Sequence, residues 1–150
     1  MTEQPGAFVD LEYARSDNYR QVLEEIIASG VCPFCPENFR WHPNPILGNS
    51  GDWFATESMQ PYEDTDKHVL IIGRTHKEEL AELTGEDLSA VHALARGVLK
   101  WAGAGGGGLM LRFGDTRFTG ATVKHLHFHV IVPEIDPDTD RAKPVWFPIG

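Results

Sequence analysis

Residues 124–133, KHLHFHVIVP, decide the fold of this chain and the position of its functional site. Three histidines alternate here with three apolar residues: His125, Leu126, His127, Phe128, His129 and Val130. Side chains two residues apart on a β-strand point to the same face, so the alternation predicts a strand over 123–133 with three imidazoles in one row. A helix is disfavoured, because β-branched and aromatic residues fill the segment. We therefore predict that this row of histidines is the functional site.

Two other interpretations of the histidines remain open from the residues alone. A half-buried strand can carry histidines on its polar face without a function, and three imidazoles can form an all-histidine metal site. A neutral imidazole whose Nδ1–H is held by a carbonyl presents Nε2 as a nucleophile, and neighbouring imidazoles or hydroxyls can donate to phosphate oxygens. This chemistry suggests nucleotidyl transfer.

Composition predicts one domain over 1–150, with residues 1–15 as an irregular N-terminal arm. The chain has 150 residues, of which 41% are hydrophobic, enough for a core without disulfides. A net charge of −9 argues against DNA and RNA as partners, because their binding depends on Lys and Arg, but a small anionic substrate is compatible with it. The sequence lacks an apolar run of membrane-spanning length and the features of a signal peptide, so we expect a cytoplasmic protein with no membrane partner.

Two segments have the apolar periodicity and the end signals of α-helices. Residues 18–29 follow a capping Ser16 or Asp17 and precede Gly30, a typical helix stop. Residues 85–102 begin at the sequence TGED, which resembles a capping box, and carry an apolar stripe. Both helices are expected to pack against a sheet.

The strands are predicted from short apolar or alternating runs between turn signals. The predicted strands are a pair over 45–59 that turns at 48–52, and single strands over 68–73, 109–113 and 123–133. Loops are expected over 38–45 and 114–121. Residues 103–108, GAGGGG, lack the Lys-Ser/Thr of a phosphate-binding P-loop and are interpreted as a flexible connection. Several antiparallel strands with two main helices predict an α+β domain.

The two cysteines, Cys32 and Cys35, lie in the sequence CPFC. In a reducing compartment this spacing is typical of a metal site or a redox pair rather than of a structural disulfide. A thioredoxin-like redox pair would need a βαβ context with a helix after the motif, whereas here the predicted helix precedes it. A metal site is therefore favoured.

The segment from His125 to Ile131 resembles the signature of the histidine triad (HIT) family of nucleotide hydrolases and transferases, in which three histidines alternate with apolar residues. The preceding residues 120–124, GATVK, resemble the family's lead-in, and the resemblance extends back to Cys32. It implies a HIT-like fold, a five-stranded antiparallel sheet with two main helices, and a homodimer.

The resemblance also implies residue roles for a small-molecule nucleotide substrate. His127 matches the nucleophile that attacks the α-phosphate to form a nucleotidyl-histidine intermediate, and His129 matches a phosphate contact or proton donor. Thr122 matches a hydroxyl that contacts the phosphate, and His68 matches a supporting histidine on the neighbouring strand. Gly120 and Ser58 complete the expected substrate-binding set: Gly120 belongs to the lead-in, and Ser58 stands where an Asn often contacts the ribose.

A structural zinc site is implied for members with this CxxC motif. The expected ligands are Cys32, Cys35, His76 and His125, with His42 as an alternative to His76. Two thiolates and two imidazoles would close a tetrahedral site and leave no position for a catalytic water.

Departures from the family pattern leave the substrate open. Ala121 stands where a phosphate-binding Gln is common, and Gly114 stands near a position often held by Asn or Gln. Because a phosphate needs positive charge, we expect Arg117 to contact it, with Arg112 as the other nearby candidate. Diadenosine polyphosphates, nucleoside phosphoramidates and nucleotide sugars are all compatible substrates. The alternative function is a zinc-stabilised nucleotide-binding or interaction module with little turnover.

Overall fold

The computed structural model describes residues 8–10 and 16–150 of the chain. Most of the predicted arm over 1–15 therefore lies outside the described residues. Within the arm, Val9 forms an isolated antiparallel bridge with Val123, just before the histidine segment. The interpretation of 1–150 as one domain stays a prediction.

The two long helices begin and end where their capping residues predict. Helix α1 spans Asp17–Ser29, with the Ser16 side chain accepting from the backbone N–H of Tyr19 and Gly30 closing the helix at a φ of 72°. Helix α2 spans Gly85–Ala102 and begins with the predicted reciprocal capping box. No helix in the described ranges is long and apolar enough to cross a membrane.

Five of the strands form one antiparallel sheet, which confirms the predicted α+β class and the expected five-stranded sheet. The spatial order is β1-β2-β3-β5-β4, so the histidine strand β5 lies between β3 and β4. Two very short strands form a separate pair after it. The strands are β1 Ile46–Ser50, β2 Trp53–Glu57, β3 Thr65–Gly73, β4 Gly108–Leu111, β5 His127–Pro133, β6 Ile135–Asp136 and β7 Arg141–Ala142.

Several predicted boundaries were wrong. The loop predicted over 38–45 contains most of a 3₁₀ segment, Pro36–Trp41, and the turn between β1 and β2 is tighter than predicted. The loop predicted over 114–121 contains a short helix, α3, Thr116–Thr119. The histidine strand begins at His127 rather than at 123, because the backbone N–H groups before it donate to Phe8 and Lys77 instead of to neighbouring strands.

The two faces of the sheet have different roles. One face packs against α2 and forms the main core, to which β5 contributes Phe128 and Val130 and β3 contributes Val69 and Ile71. Because side chains alternate along a strand, the histidines of β5 lie on the other face. That second face carries a smaller apolar cluster of Phe54, Leu70 and Ile72, covered in part by Phe34 and Phe39.

Candidate functional site

A cavity of about 180 Å³ lies over the second face of the sheet, where β3 and β5 run side by side. Six of the residues predicted to bind substrate or to catalyse line this cavity: Ser58, His68, Gly120, Thr122, His127 and His129. The remaining lining residues come from several parts of the chain: Tyr19, Phe34, Gln60, Tyr62, Leu70, Arg112, Val123, Pro148 and Gly150. The structure therefore brings together most of the residues predicted for this site.

His127 is held as one defined tautomer. Its Nδ1 lies 2.8 Å from the backbone carbonyl oxygen of His125, and a carbonyl oxygen can only accept, so Nδ1 carries the hydrogen. Burial lowers the pKa of His127 to about 4, and the nearby charges of His125 and Arg112 act in the same direction, against the opposing hydrogen bond. The ring is therefore neutral at pH 7, with a bare Nε2 lone pair.

His129 is held as the opposite tautomer through His68. The backbone N–H of Tyr62 donates to His68 Nδ1 at 3.1 Å, so the neutral His68 ring carries its hydrogen on Nε2. His68 Nε2 lies 2.9 Å from His129 Nδ1 and donates to it, which leaves the hydrogen of a neutral His129 on Nε2. The rings of His127 and His129 are 5.0 Å apart. Two neighbouring imidazoles thus carry a bare nitrogen and a buried N–H donor.

Arg112, and not Arg117, lies at the cavity. The Arg112 guanidinium donates to the Tyr62 hydroxyl at 2.8 Å and to the backbone carbonyl of Pro148 at 2.7 Å. Arg117 is not among the lining residues, its side chain is 71% exposed, and it forms an ion pair with Asp115, two residues away. The expectation that Arg117 contacts the phosphate finds no support in this placement, because its local carboxylate holds the guanidinium on the surface.

The last residues of the sequence border the same cavity. The Phe147 ring lies 5.1 Å from the His129 ring and 4.1 Å from the Arg112 guanidinium carbon. Farther along, the Gly150 N–H donates to Thr119. Gly120 has a φ of 67°, and a Cβ there would come within 2.6 Å of the Gly150 carbonyl oxygen, so only glycine fits.

The four predicted metal ligands form a second cluster behind the histidine cavity. The ligating atoms of Cys32, Cys35, His76 and His125 all lie within 4.8 Å of one another and could hold a metal ion. His42 lies elsewhere: its Nε2 is 2.9 Å from Thr56 Oγ1, and its ring stacks on Phe39. The cluster therefore contains His76 rather than the alternative His42.

Hydrogen bonds outside the cluster turn both of its imidazoles inward. His125 Nε2 donates to the carbonyl of Gly73 at 2.5 Å, and His76 Nε2 donates to the Glu78 carboxylate at 3.2 Å. Such outer partners fix the tautomer of metal-bound histidines. The two Nδ1 lone pairs then face each other at 3.1 Å, an arrangement that is repulsive unless a cation lies between them.

Three of the sulfur–nitrogen distances in this cluster fit a small tetrahedral ion. Metal–ligand bonds of 2.0–2.3 Å place tetrahedral S and N ligands about 3.3 to 3.8 Å apart. The Sγ atoms of Cys32 and Cys35 lie 3.4 and 3.6 Å from His125 Nδ1, and Cys35 Sγ lies 3.5 Å from His76 Nδ1. Burial raises the pKa of Cys35 to about 12, so metal binding must displace the thiol protons.

Sequence reasoning missed three aromatic residues of the histidine cavity: Tyr19, Phe34 and Tyr62. Tyr19 lies on the apolar stripe of α1, and its hydroxyl is the polar group on that stripe. This hydroxyl is a feature of the sequence that could have identified Tyr19 as a site residue. Phe34, between the two cysteines, lies 5.0 Å from the His127 ring. Tyr62 lies in a loop without periodicity, so nothing in the sequence pattern marks it.

Known proteins share this fold and this part of the sequence. The family model of the HIT domain matches residues 42–135. A HIT family hydrolase from Clostridium thermocellum is 27% identical over 71% of this chain and 92% of that one, with a TM-score of 0.55. A Zn-bound histidine triad family protein from Mycobacterium smegmatis is 24% identical over 77% and 85% of the two chains, with a TM-score of 0.57.

A more distant structure is a diadenosine triphosphate hydrolase from Plasmodium falciparum, in complex with cyclomarin A. It is 17% identical over 61% of this chain and 62% of that one, with a TM-score of 0.50, and so shows the fold alone. Among curated proteins, none matches the sequence.

Proposed function

Because this chain belongs to the HIT domain family, we propose that it is a nucleotide hydrolase or nucleotidyl transferase in which His127 attacks the α-phosphate. The observation that carries the proposal is the bond from His127 Nδ1–H to the His125 carbonyl, which leaves Nε2 bare at the cavity. A neutral imidazole held in this way is an activated nitrogen nucleophile. The similarity to a HIT family hydrolase supports the same chemistry.

The first step forms a bond between His127 Nε2 and the α-phosphorus, while the bond from phosphorus to the leaving group breaks with its electron pair. The His129 Nε2–H donates a hydrogen bond to a phosphate oxygen and stabilises the charge that develops there. It does not transfer this proton, because a neutral imidazole is not an acid near pH 7. A phosphate leaving group departs as an anion and needs no proton, whereas the amine of a phosphoramidate takes a proton from the solvent as its bond to phosphorus breaks.

The second step returns the enzyme to its starting state. The oxygen of a water molecule bonds to the phosphorus, and the bond from phosphorus to Nε2 breaks, which restores the lone pair of His127. The protons of the water pass to the product phosphate and to solvent. Diadenosine polyphosphates and nucleoside phosphoramidates are the proposed substrate classes, in keeping with the diadenosine triphosphate hydrolase of the same fold.

The first prediction concerns His127 and uses another histidine as its control. His127→Gly removes the nucleophile, so we expect turnover to fall at least 1,000-fold. We expect the parent to show a nucleotidyl adduct by intact mass during turnover and His127→Gly to show none. The control is His92→Ala, which changes an exposed histidine of α2 and should retain activity. His127→Gly activity within tenfold of the parent would contradict the assignment, and nucleotide binding without an adduct would favour the low-turnover binding module.

A second prediction compares two arginines, of which one lines the cavity and one pairs with a surface carboxylate. Losing a charge-assisted contact of about 1.5–3 kcal/mol should lower kcat/KM roughly 10- to 150-fold in Arg112→Ala. Arg117→Ala, with a solvated ion pair, should change kcat/KM less than about threefold. Steady-state kinetics on diadenosine triphosphate measures both. If Arg117→Ala lowers kcat/KM by this amount and Arg112→Ala does not, the phosphate contact belongs to Arg117 instead.

We also propose that the cysteine and histidine cluster holds a structural zinc ion. Two cysteines and two histidines are a typical closed zinc ligand set. The donor distances support this, and a solved histidine triad protein of the same fold is zinc-bound. The ion would supply no step of the reaction. It would fix the CPFC loop against His125, which directly precedes the nucleophile strand.

The third prediction concerns this metal. The protein purified without chelators should contain about one zinc per chain by elemental analysis, and Cys32→Ser should lose the zinc and lower the Tm, because metal binding energy is also folding energy. His42→Gln should keep the zinc, since His42 lies outside the cluster. A zinc-free protein with a disulfide between Cys32 and Cys35 would support a redox pair instead.

A further inference from the structure

Helix α1 precedes the residues matched by the HIT domain, yet it brings a polar group into the histidine cavity. This group is the hydroxyl of Tyr19, which lies 3.0 Å from Thr122 Oγ1. Tyr19 also lines a neighbouring, mainly apolar cavity of about 190 Å³ between α1 and the CPFC loop. Tyr19 therefore lies where the two cavities meet.

We propose that Tyr19 is a positioning residue that orients the Thr122 hydroxyl toward the phosphate of the substrate. This inference rests on the proposed function, because it assumes a phosphate in the histidine cavity. It adds to that function a residue from outside the matched domain.

The direction of the hydrogen bond follows from the chemistry of phosphate. Ionised phosphate oxygens only accept, so a threonine hydroxyl that contacts them must use its single hydrogen to donate. Thr122 Oγ1 can then still accept through a lone pair, and the Tyr19 O–H is placed to donate to it. The result is a chain of donors from Tyr19 to Thr122 to phosphate, in which each bond polarises and strengthens the next.

The loop before the histidine segment offers few other donors to a phosphate. The Gly120 N–H donates to the carbonyl of Thr116 at 2.9 Å, and the Ala121 N–H donates to Thr119 Oγ1 at 3.1 Å. The side chain of Ala121 carries no polar group. With these two backbone donors engaged inside the loop, the Thr122 hydroxyl is a donor that this loop can turn toward the substrate.

The position of Tyr19 is fixed by two independent features of α1. Its backbone N–H donates to the capping side chain of Ser16 at 3.1 Å. Its ring packs beside the buried cluster of Leu23, Ile26 and Val123. Removing the hydroxyl while keeping the ring should therefore leave the packing of the helix unchanged, which makes Tyr19→Phe a clean test.

The experiment is a double-mutant cycle of Tyr19→Phe, Thr122→Val and both changes together, measured as kcat/KM on diadenosine triphosphate and as the Kd of AMP by calorimetry. We expect Tyr19→Phe to lower kcat/KM roughly 3- to 10-fold, the effect of one neutral hydrogen bond, and to weaken AMP binding. In the Thr122→Val background, Tyr19→Phe should have no further effect, because its action passes through the missing hydroxyl. The matched control is Gln21→Ala, which changes an exposed residue of the same helix and should have the kcat/KM and the AMP Kd of the parent.

Two outcomes would overturn the inference alone. In the first, Tyr19→Phe has the kcat/KM and the AMP Kd of the parent. In the second, Tyr19→Phe lowers kcat/KM equally in the parent and in the Thr122→Val background, and a fall in Tm of more than about 4 °C would then indicate a structural role. If the parent neither binds AMP nor cleaves the substrate, the proposed function itself fails, and the inference fails with it. An active parent with an unaffected Tyr19→Phe rejects the inference alone.

Discussion

The hydrogen bond from His127 Nδ1–H to the carbonyl of His125 joins the two halves of this site. The side chain of His125 points into the cysteine cluster, while its backbone carbonyl fixes the ring of the proposed nucleophile. A shift of His125 would therefore change both the metal cluster and the direction of the His127 Nε2 lone pair. The proposed metal ion would supply no step of the reaction, but through His125 it would still determine the geometry of the His127 ring.

The two faces of the sheet separate the residues that pack the core from the histidines of the proposed site. On β5, Phe128 and Val130 are committed to the core beneath α2, so His127 and His129 must lie on the opposite face. His68, paired with Ile131 on the adjacent strand, reaches His129 across that face. Because an imidazole presents different atoms in its two tautomers, a backbone carbonyl and a backbone N–H suffice to give neighbouring histidines opposite roles.

Short-range patterns in the sequence predicted much of this, and long-range contacts account for the rest. The predicted bounds of helix α2 agree with the structure, because its capping box and apolar stripe are local signals. The period-two alternation identified the face of β5, but it placed His125 in the strand, whereas the cysteine cluster and the bond from Leu126 N–H to Lys77 hold this stretch outside the ladder. The contact of Tyr19 with Thr122 spans 103 residues, and no periodicity encodes it. The expected phosphate contact of Arg117 rests on its place in the loop that leads into the histidine segment. That place in the sequence does not show that Asp115 pairs with Arg117.

The central claim is that His127 and His129 are held in opposite tautomers at neutral pH, one as a nucleophile and one as a donor. Long-range ¹H–¹⁵N correlation spectra of the ¹⁵N-labelled protein with zinc bound test this most directly, because they distinguish protonated from bare ring nitrogens. The account predicts that at pH 7 His127 carries its hydrogen on Nδ1 and His129 carries its hydrogen on Nε2. A spectrum in which His127 is protonated on Nε2, or in which both rings share one tautomer, would contradict it.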